Sequence, residues 1–243
     1  MKNVYLRKLL LTIVFSIPAS FLLVRLGRDS LFGGIMDAFY GGVFLTPDAS
    51  PVGVFAFFWP QTVFAYIFSD FFLGELREQM PYVFCRTKNR MGWFVKKTAI
   101  LAGCVTVFCL AQFLILTLNC LLTRIPVVGL TERHIFMLFL NGLYVLTLSL
   151  SVGLLALKID PVKGSVGLLG LHLGTGLAFL YGGLGKIAAF LPACRSVYFW
   201  HNVPGAIHYV PGLTIEGSFA MVCILILGLL TVGGVYVQKM DII

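Results

Sequence analysis

The sequence predicts an all-α, polytopic membrane protein: six transmembrane helices in one domain over 1–243, with N- and C-termini cytosolic. Three observations carry that prediction. The chain is 59% hydrophobic and only 12% charged, about half the charged share of a soluble domain. Its apolar residues gather in runs of roughly 20, the length a helix needs to cross hydrocarbon. Its Lys and Arg residues fall unevenly between alternate connections, as the positive-inside rule requires. Mean hydropathy is +0.96.

The first span, about 9–25, follows an amphipathic N-terminal segment, MKNVYLRKLL. A basic start before an apolar core also describes a signal peptide. This run is long, however, and no small-x-small cleavage pattern closes it, so it reads as a retained span. FYGGVFLTPDASP comes next, an outer loop rich in turn formers. The second span, 52–73, holds Pro60 and Gln61 near its middle. Beyond it SDFFLGELREQM keeps helical character until Pro81, which disfavours helix at Met80. The third, fourth, fifth and sixth spans read as 95–122, 134–157, 165–186 and 215–237. None shows the alternation of a membrane barrel strand. The connection before the last span, RSVYFWHNVPGAIHYVPG, carries Tyr198, Phe199, Trp200 and Tyr209, rings suited to a membrane–water boundary.

Charge sets the direction. With the N-terminus inside, the inner side holds Lys2, Arg7, Lys8, Arg77, Arg86, Lys88, Arg90, Lys96, Lys97, Lys158, Lys163 and Lys239. The outer side holds Arg25, Arg28, Arg124, Arg133 and Arg195. The net charge of +8 is thereby explained by loop topology and membrane lipid, and no nucleic-acid partner is expected.

Enzyme signatures are missing from the sequence. It has no HExxH, no GxSxG, no paired intramembrane aspartates and no GxxxxGK[ST]; Gly185-Lys186 lacks the rest of a P-loop. His201 and His208 in HNVPGAIH match no common metal spacing and read as structural. Cys104, Cys109, Cys120 and Cys223 lie in apolar runs as small apolar residues, while Cys85 and Cys194 fall on opposite sides and are not expected to pair. The chain is read as a non-catalytic protein without catalytic, cofactor-binding or metal-binding residues.

Polar residues within spans are the remaining candidates, because desolvation makes them costly. They are Gln61, Gln112, Asn141 and His172. Interhelical hydrogen bonding is the plain role for each, and a translocation path is the alternative. Lys186 and Glu216 fall at the outer ends of neighbouring spans, able to pair or to snorkel to water. In the glycine-dense fifth span, Gly170 and Gly174 form a GxxxG with Gly167 and Gly182 near the same face. That face suits tight packing in the bundle, a subunit contact or a flexible helix. Asp70 and Glu75 close the second span, where a carboxylate can reach the basic loop.

That loop, PYVFCRTKNRMGWFVKK, sets Tyr82 and Phe84 among Arg86, Lys88 and Arg90, with no acid present. Headgroup anchoring explains the charge, and Trp93 suits an interface. A helix that runs past the membrane, breaks and presents aromatic knobs suits a docking surface. The order Asp70, Glu75, Arg86, Asn89-Arg90, Trp93, Lys97 resembles the first cytosolic loop of ABC-2-type permeases, the membrane subunits of one class of ABC transporter. In those, an acid closes the second span and an R-x-x-[SN]-R stretch with an aromatic leads into the third; RTKNR, Arg86 to Arg90, fits. The basic start is similar to the family's interfacial elbow helix. In size the chain looks like small bacterial permeases of peptide export or lantibiotic immunity.

The resemblance implies a half-transporter. A second permease subunit, the same chain or a related one, would pair with it. A separate ABC ATP-binding subunit, holding the ATP and Mg, would dock on the cytosolic coupling loop 74–94, at Glu75, Glu78, Tyr82, Phe84, Arg86, Lys88 and Arg90. ATP hydrolysis in that partner would drive export of a peptide, lipid or drug-like substrate across the plasma membrane. The alternative is a secondary transporter or channel not driven by ATP, which would usually place more ionisable residues at mid-membrane.

Overall fold

The computed structural model describes residues 2–26, 31–41, 51–74, 76, 90–182, 192, 196–197, 201 and 213–240. The described residues form helices and connections, with no strand. Seven helices of ten or more residues are present among them: α1 (Lys2–Leu26), α2 (Phe32–Gly41), α3 (Pro51–Ile67), α4 (Arg90–Leu122), α5 (Glu132–Lys158), α6 (Pro161–Gly182) and α7 (Ile215–Lys239). Four stretches of them are long and apolar enough to cross a membrane: Val4–Arg25, Arg90–Leu122, Glu132–Lys158 and Ile215–Lys239.

Local chemistry fixes several helix ends. Asp160 precedes Pro161, and its carboxylate accepts from the amides of Val162 (2.9 Å) and Lys163 (3.2 Å). An acceptor followed by proline at the first helical position is a favourable helix start. Thr214 caps α7 by accepting from Gly217 N at 3.1 Å. α3 ends earlier than its apolar run suggests. Ser69 N bonds Tyr66 O at 3.1 Å and Phe71 N bonds Phe68 O at 3.0 Å, three-residue spacings that tighten the chain into a turn at 68–70 before helix resumes over 71–74. Ser and Asp, which compete with the backbone for hydrogen bonds, sit at that turn.

Contacts along the helices give their directions. Tyr5 meets Lys97, Ser16 meets Gln112 and Ser20 meets Asn119, so α1 and α4 run parallel. α3 packs on α1 and runs the other way, pairing Asp70 with Lys8 and Trp59 with the carbonyl of Phe15. α5 and α7 are parallel, joined by Phe139–Phe219 at one end and by Tyr236–Leu157 at the other. α6 opposes α5, with Tyr144 on His172. The six long helices thus alternate in direction through the sequence.

One end of the bundle gathers the start of α1, the end of α3, the start of α4, the α5–α6 turn and the end of α7. Lys8, Arg90, Lys97, Lys158 and Lys239 all lie there. Lys97 is buried on α4, its Nζ 2.5 Å from Tyr5 Oη and over the Tyr5 and Phe71 rings. Asp70 pairs with Lys8 of α1, while residues 81–89 of the basic loop lie outside the described residues.

Phenylalanine fills the middle. Phe64 stacks on Phe68 (4.4 Å between centroids) and leans on Phe108 (4.9 Å), while Phe72 meets Phe71 and Phe94. Polar side chains are buried beside this apolar core, and large apolar ones cover the outside. Thr12, Ser16, Ser20, Gln112, Asn119 and Ser149 are buried, whereas Leu114, Ile135, Ile224 and Val232 project outward. Such a surface suits lipid contact.

Glycine admits the closest helix approaches. A Cβ on Gly233 would lie 2.4 Å from Phe94, and one on Gly153 would lie 2.8 Å from Phe72. The GxxxG face behaves differently. Among the described residues nothing lies within 4 Å of a Cβ built at Gly167, Gly170 or Gly174.

Gly233→Ala is expected to lower the thermal stability of the detergent-solubilised protein by ~1–3 kcal/mol through overpacking. Gly170→Ala should leave it within about 1 kcal/mol of the parent. Paired thermal melts of the two variants check this contrast.

Candidate functional site

α2 was not foreseen. Its segment precedes and enters what the sequence suggests is a turn-rich outer loop, yet Phe32, Ile35, Met36, Phe39 and Tyr40 repeat at the spacing of one apolar helix face. All five are buried, packed against Leu23 and Val24 of α1, Ala56 of α3, Leu116 and Cys120 of α4 and Met137 of α5. The helix turns back into the bundle from the end where α1 finishes. At its tip Tyr40 Oη reaches the carbonyl of Cys109 at 3.3 Å. Cys109 lies 13 residues before the end of α4, or roughly 20 Å along that helix.

A polar clamp holds the other end of α2. Gly33 N donates to Val128 O at 3.1 Å, and His134 Nε2 donates to Gly33 O at 3.1 Å. His134 Nδ1 accepts from Thr131 N at 2.9 Å, which fixes the Nε2–H tautomer. Gly129, at φ +83°, and Gly33 touch backbone to backbone: a Cβ on Gly33 would lie 2.3 Å from the Gly129 carbonyl oxygen. One turn on, Asp37 takes the Arg133 guanidinium at 2.7 Å and lies 3.1 Å from His134 Nε2. Burial raises the Asp37 carboxyl above the ordinary carboxylate range, and Arg133 and His134 pull it back.

Deeper in, the tip of α2 closes over a polar centre. Three of the four polar candidates meet there: Gln61 from α3, Gln112 from α4 and Asn141 from α5 line one small cavity with Tyr40, Pro60 and Cys109. Gln61 is 1% exposed and Gln112 is 2% exposed. Gln112 Nε2 donates to Ser16 Oγ of α1.

His172 sits apart, in α6. Its Nδ1 is 2.7 Å from Tyr144 Oη, and its ring stands edge-on to Phe58 at 5.0 Å. The pair forms one wall of an apolar cavity of about 230 Å³ between α5, α6 and α7, where Thr147 and Ser151 add hydroxyls and Leu225 and Leu229 close the far side. Phe57 borders the polar centre and Phe58 borders His172, so consecutive residues of α3 separate the two.

Of the proposed docking residues, Arg90 is described. It donates from Nη1 to the carbonyls of Met240 (2.6 Å) and Gln238 (3.2 Å), holding the start of α4 against the end of α7. Trp93 is buried at the same end. Glu75, Glu78, Tyr82, Phe84, Arg86 and Lys88 lie outside the described residues, as do Cys85, Lys186, Cys194 and His208. His201 is buried and binds Val197 O at 3.0 Å and Ser218 Oγ at 2.7 Å, tying the preceding connection to α7. Glu216 is exposed in the first turn of α7.

Comparison with protein-family models, with curated proteins and with solved structures finds no match to this chain. The arrangement itself provides neutral hydrogen-bonding groups enclosed by apolar helices, with a cluster of cations at one end. That chemistry suits binding, packing and passage.

Asp37→Ala is expected to destabilise the protein by ~1–3 kcal/mol, since it removes a largely buried carboxylate that ties α2 to Arg133 of α5. Asp70→Ala should cost under about 1 kcal/mol, because the Asp70 side chain is 46% exposed in its pair with Lys8. Thermal melts of both variants in one detergent, with Arg133→Ala to complete a mutant cycle, give the measurement.

Proposed function

We propose that this chain is the membrane-spanning permease subunit of an ABC transporter of the ABC-2 type, with six transmembrane helices and both termini cytosolic. It would couple ATP hydrolysis in a separate ATP-binding subunit to export of a peptide, lipid or drug-like substrate across the plasma membrane. A second permease subunit completes the transporter.

The observation that carries this reading is where the basic loop attaches. The short extension of α3 and the start of α4 at Arg90 both lie at the end of the bundle holding Lys8, Lys97 and Lys239. A partner gripping the RTKNR segment would act on both helices. The alternating directions of the six long helices also fit a six-span permease, with α2 dipping in from the outer side. Irregular insertions of this kind are tolerated in membranes where protein surrounds them. The polar centre at Gln61, Gln112 and Asn141, and the His172–Tyr144 cavity beside it, are the places where a substrate path would run through the bundle.

The test is purification of the tagged full chain from its native membrane. A P-loop ATPase is expected to accompany it, and Tyr82→Ala, Phe84→Ala and Arg86→Glu combined are expected to abolish substrate-coupled ATPase activity in proteoliposomes. An ATPase that never accompanies the chain, or coupling that survives the triple variant, would turn the reading toward a transporter or channel not driven by ATP.

A further inference from the structure

We propose that one water molecule is bound inside the bundle where the tip of α2 meets α3 and α4, held by Gln61 and Gln112. Three polar atoms point to it. Gln61 Oε1 and Nε2 and Gln112 Oε1 are all buried, and none has a hydrogen-bond partner among the described residues. All belong to side chains lining the same cavity, whose volume is about 10 Å³. That is the space of one water and of nothing larger. Native proteins rarely leave buried amides unsatisfied, and a trapped water is the usual remedy. Pro60 supplies a further reason. Having no N–H, Pro60 cannot make the backbone bond that a helix interior normally has at its position, and Pro60 itself lines the cavity.

The ligand's chemistry follows from the mixture of groups. The two Oε1 atoms require donors, and Gln61 Nε2 requires an acceptor. Water offers both. A monovalent cation would satisfy the oxygens but face the positive end of the Gln61 amide, and an anion would do the reverse. Gln112 is held in place by its bond to Ser16, so α1 fixes the site on one side while Tyr40 covers it on the other. The water thus links Gln61, next to Pro60 of α3, to Gln112 of α4. This inference is independent of the proposed function.

The experiment uses the full chain in lipid nanodiscs. Gln61→Met keeps nearly the same shape and removes the hydrogen bonding. With water bound, its melting temperature is expected to fall by about 2–4 °C, because the water loses two of its contacts and Gln112 Oε1 is left alone. If the site is dry, the same substitution removes two orphaned polar atoms, and a rise in melting temperature would overturn the proposal. Should Gln61→Met fail to fold, a structure of the unsubstituted chain at a resolution that shows ordered waters decides. One density peak within hydrogen-bond distance of Gln61 Oε1, Gln61 Nε2 and Gln112 Oε1 supports the proposal. No peak there, or a Gln61 amide turned onto a protein partner, refutes it. A melting temperature that climbs with sodium or potassium chloride but not with choline chloride would identify a cation and refute it equally.

Discussion

A polar group carried into an apolar helix bundle must meet its partner inside, because neither hydrocarbon nor a leucine surface offers one. The seam between α1 and α4 shows that constraint at three levels. Tyr5–Lys97, Ser16–Gln112 and Ser20–Asn119 are spaced so that one register satisfies all three. Each link of this kind contributes only about 0.6 kcal/mol in a membrane protein. Their joint effect is on specificity, since sliding the helices by one turn would strand every group at once. The phenylalanine core adds dispersion but tolerates such sliding better. The polar seam therefore sets the register, and the aromatic core fills the space that it defines.

The same constraint explains how a ten-residue helix lodges among much longer ones. The free amides and carbonyls at the ends of α2 would be costly within an apolar bundle. The chain answers at its first turn with the amide and carbonyl of Gly33, bonded to Val128 and His134, and then with the Asp37–Arg133 pair. Glycine at 33 and at 129 lets backbone approach backbone where a methyl group would not fit. α2 is thus held by hydrogen bonds at its entrance and by apolar burial along its length.

Much of the architecture was legible in the sequence. The long helices follow the apolar runs closely, because a continuous run of that length has few alternatives to helix. Their alternating directions follow from connecting each apolar run to the next at the nearer end of the bundle. What escaped was of two kinds. α2 was missed because Gly34, Gly41 and the turn formers after it outweighed a five-residue apolar face, and only tertiary burial rewards that face. The pairing of Asp70 with Lys8 was missed because the two lie 62 residues apart and only the packing of α1 on α3 brings them together. For the site, residue type singled out Gln61, Gln112, Asn141 and His172. Convergence of the first three and separation of the fourth depend on helix rotation, to which a hydrophobic pattern rich on every face is nearly blind. Tyr40, Tyr144 and Ser16 carried no signal of their own, since hydroxyl residues are common in such helices.

The bond from Arg90 to the last carbonyls of α7 joins two parts of the chain that lie about 150 residues apart. The start of α4 and the end of α7 therefore behave as a single mechanical node. A push delivered along the chain into α4 reaches α7 without crossing the interior, through one guanidinium and two carbonyl oxygens. Because α7 also runs beside α5 and meets it through Tyr236 and Leu157, displacement at this node spreads sideways to a third helix. The basic end of the bundle is thus built as a yoke, in which three helices share a load applied to one.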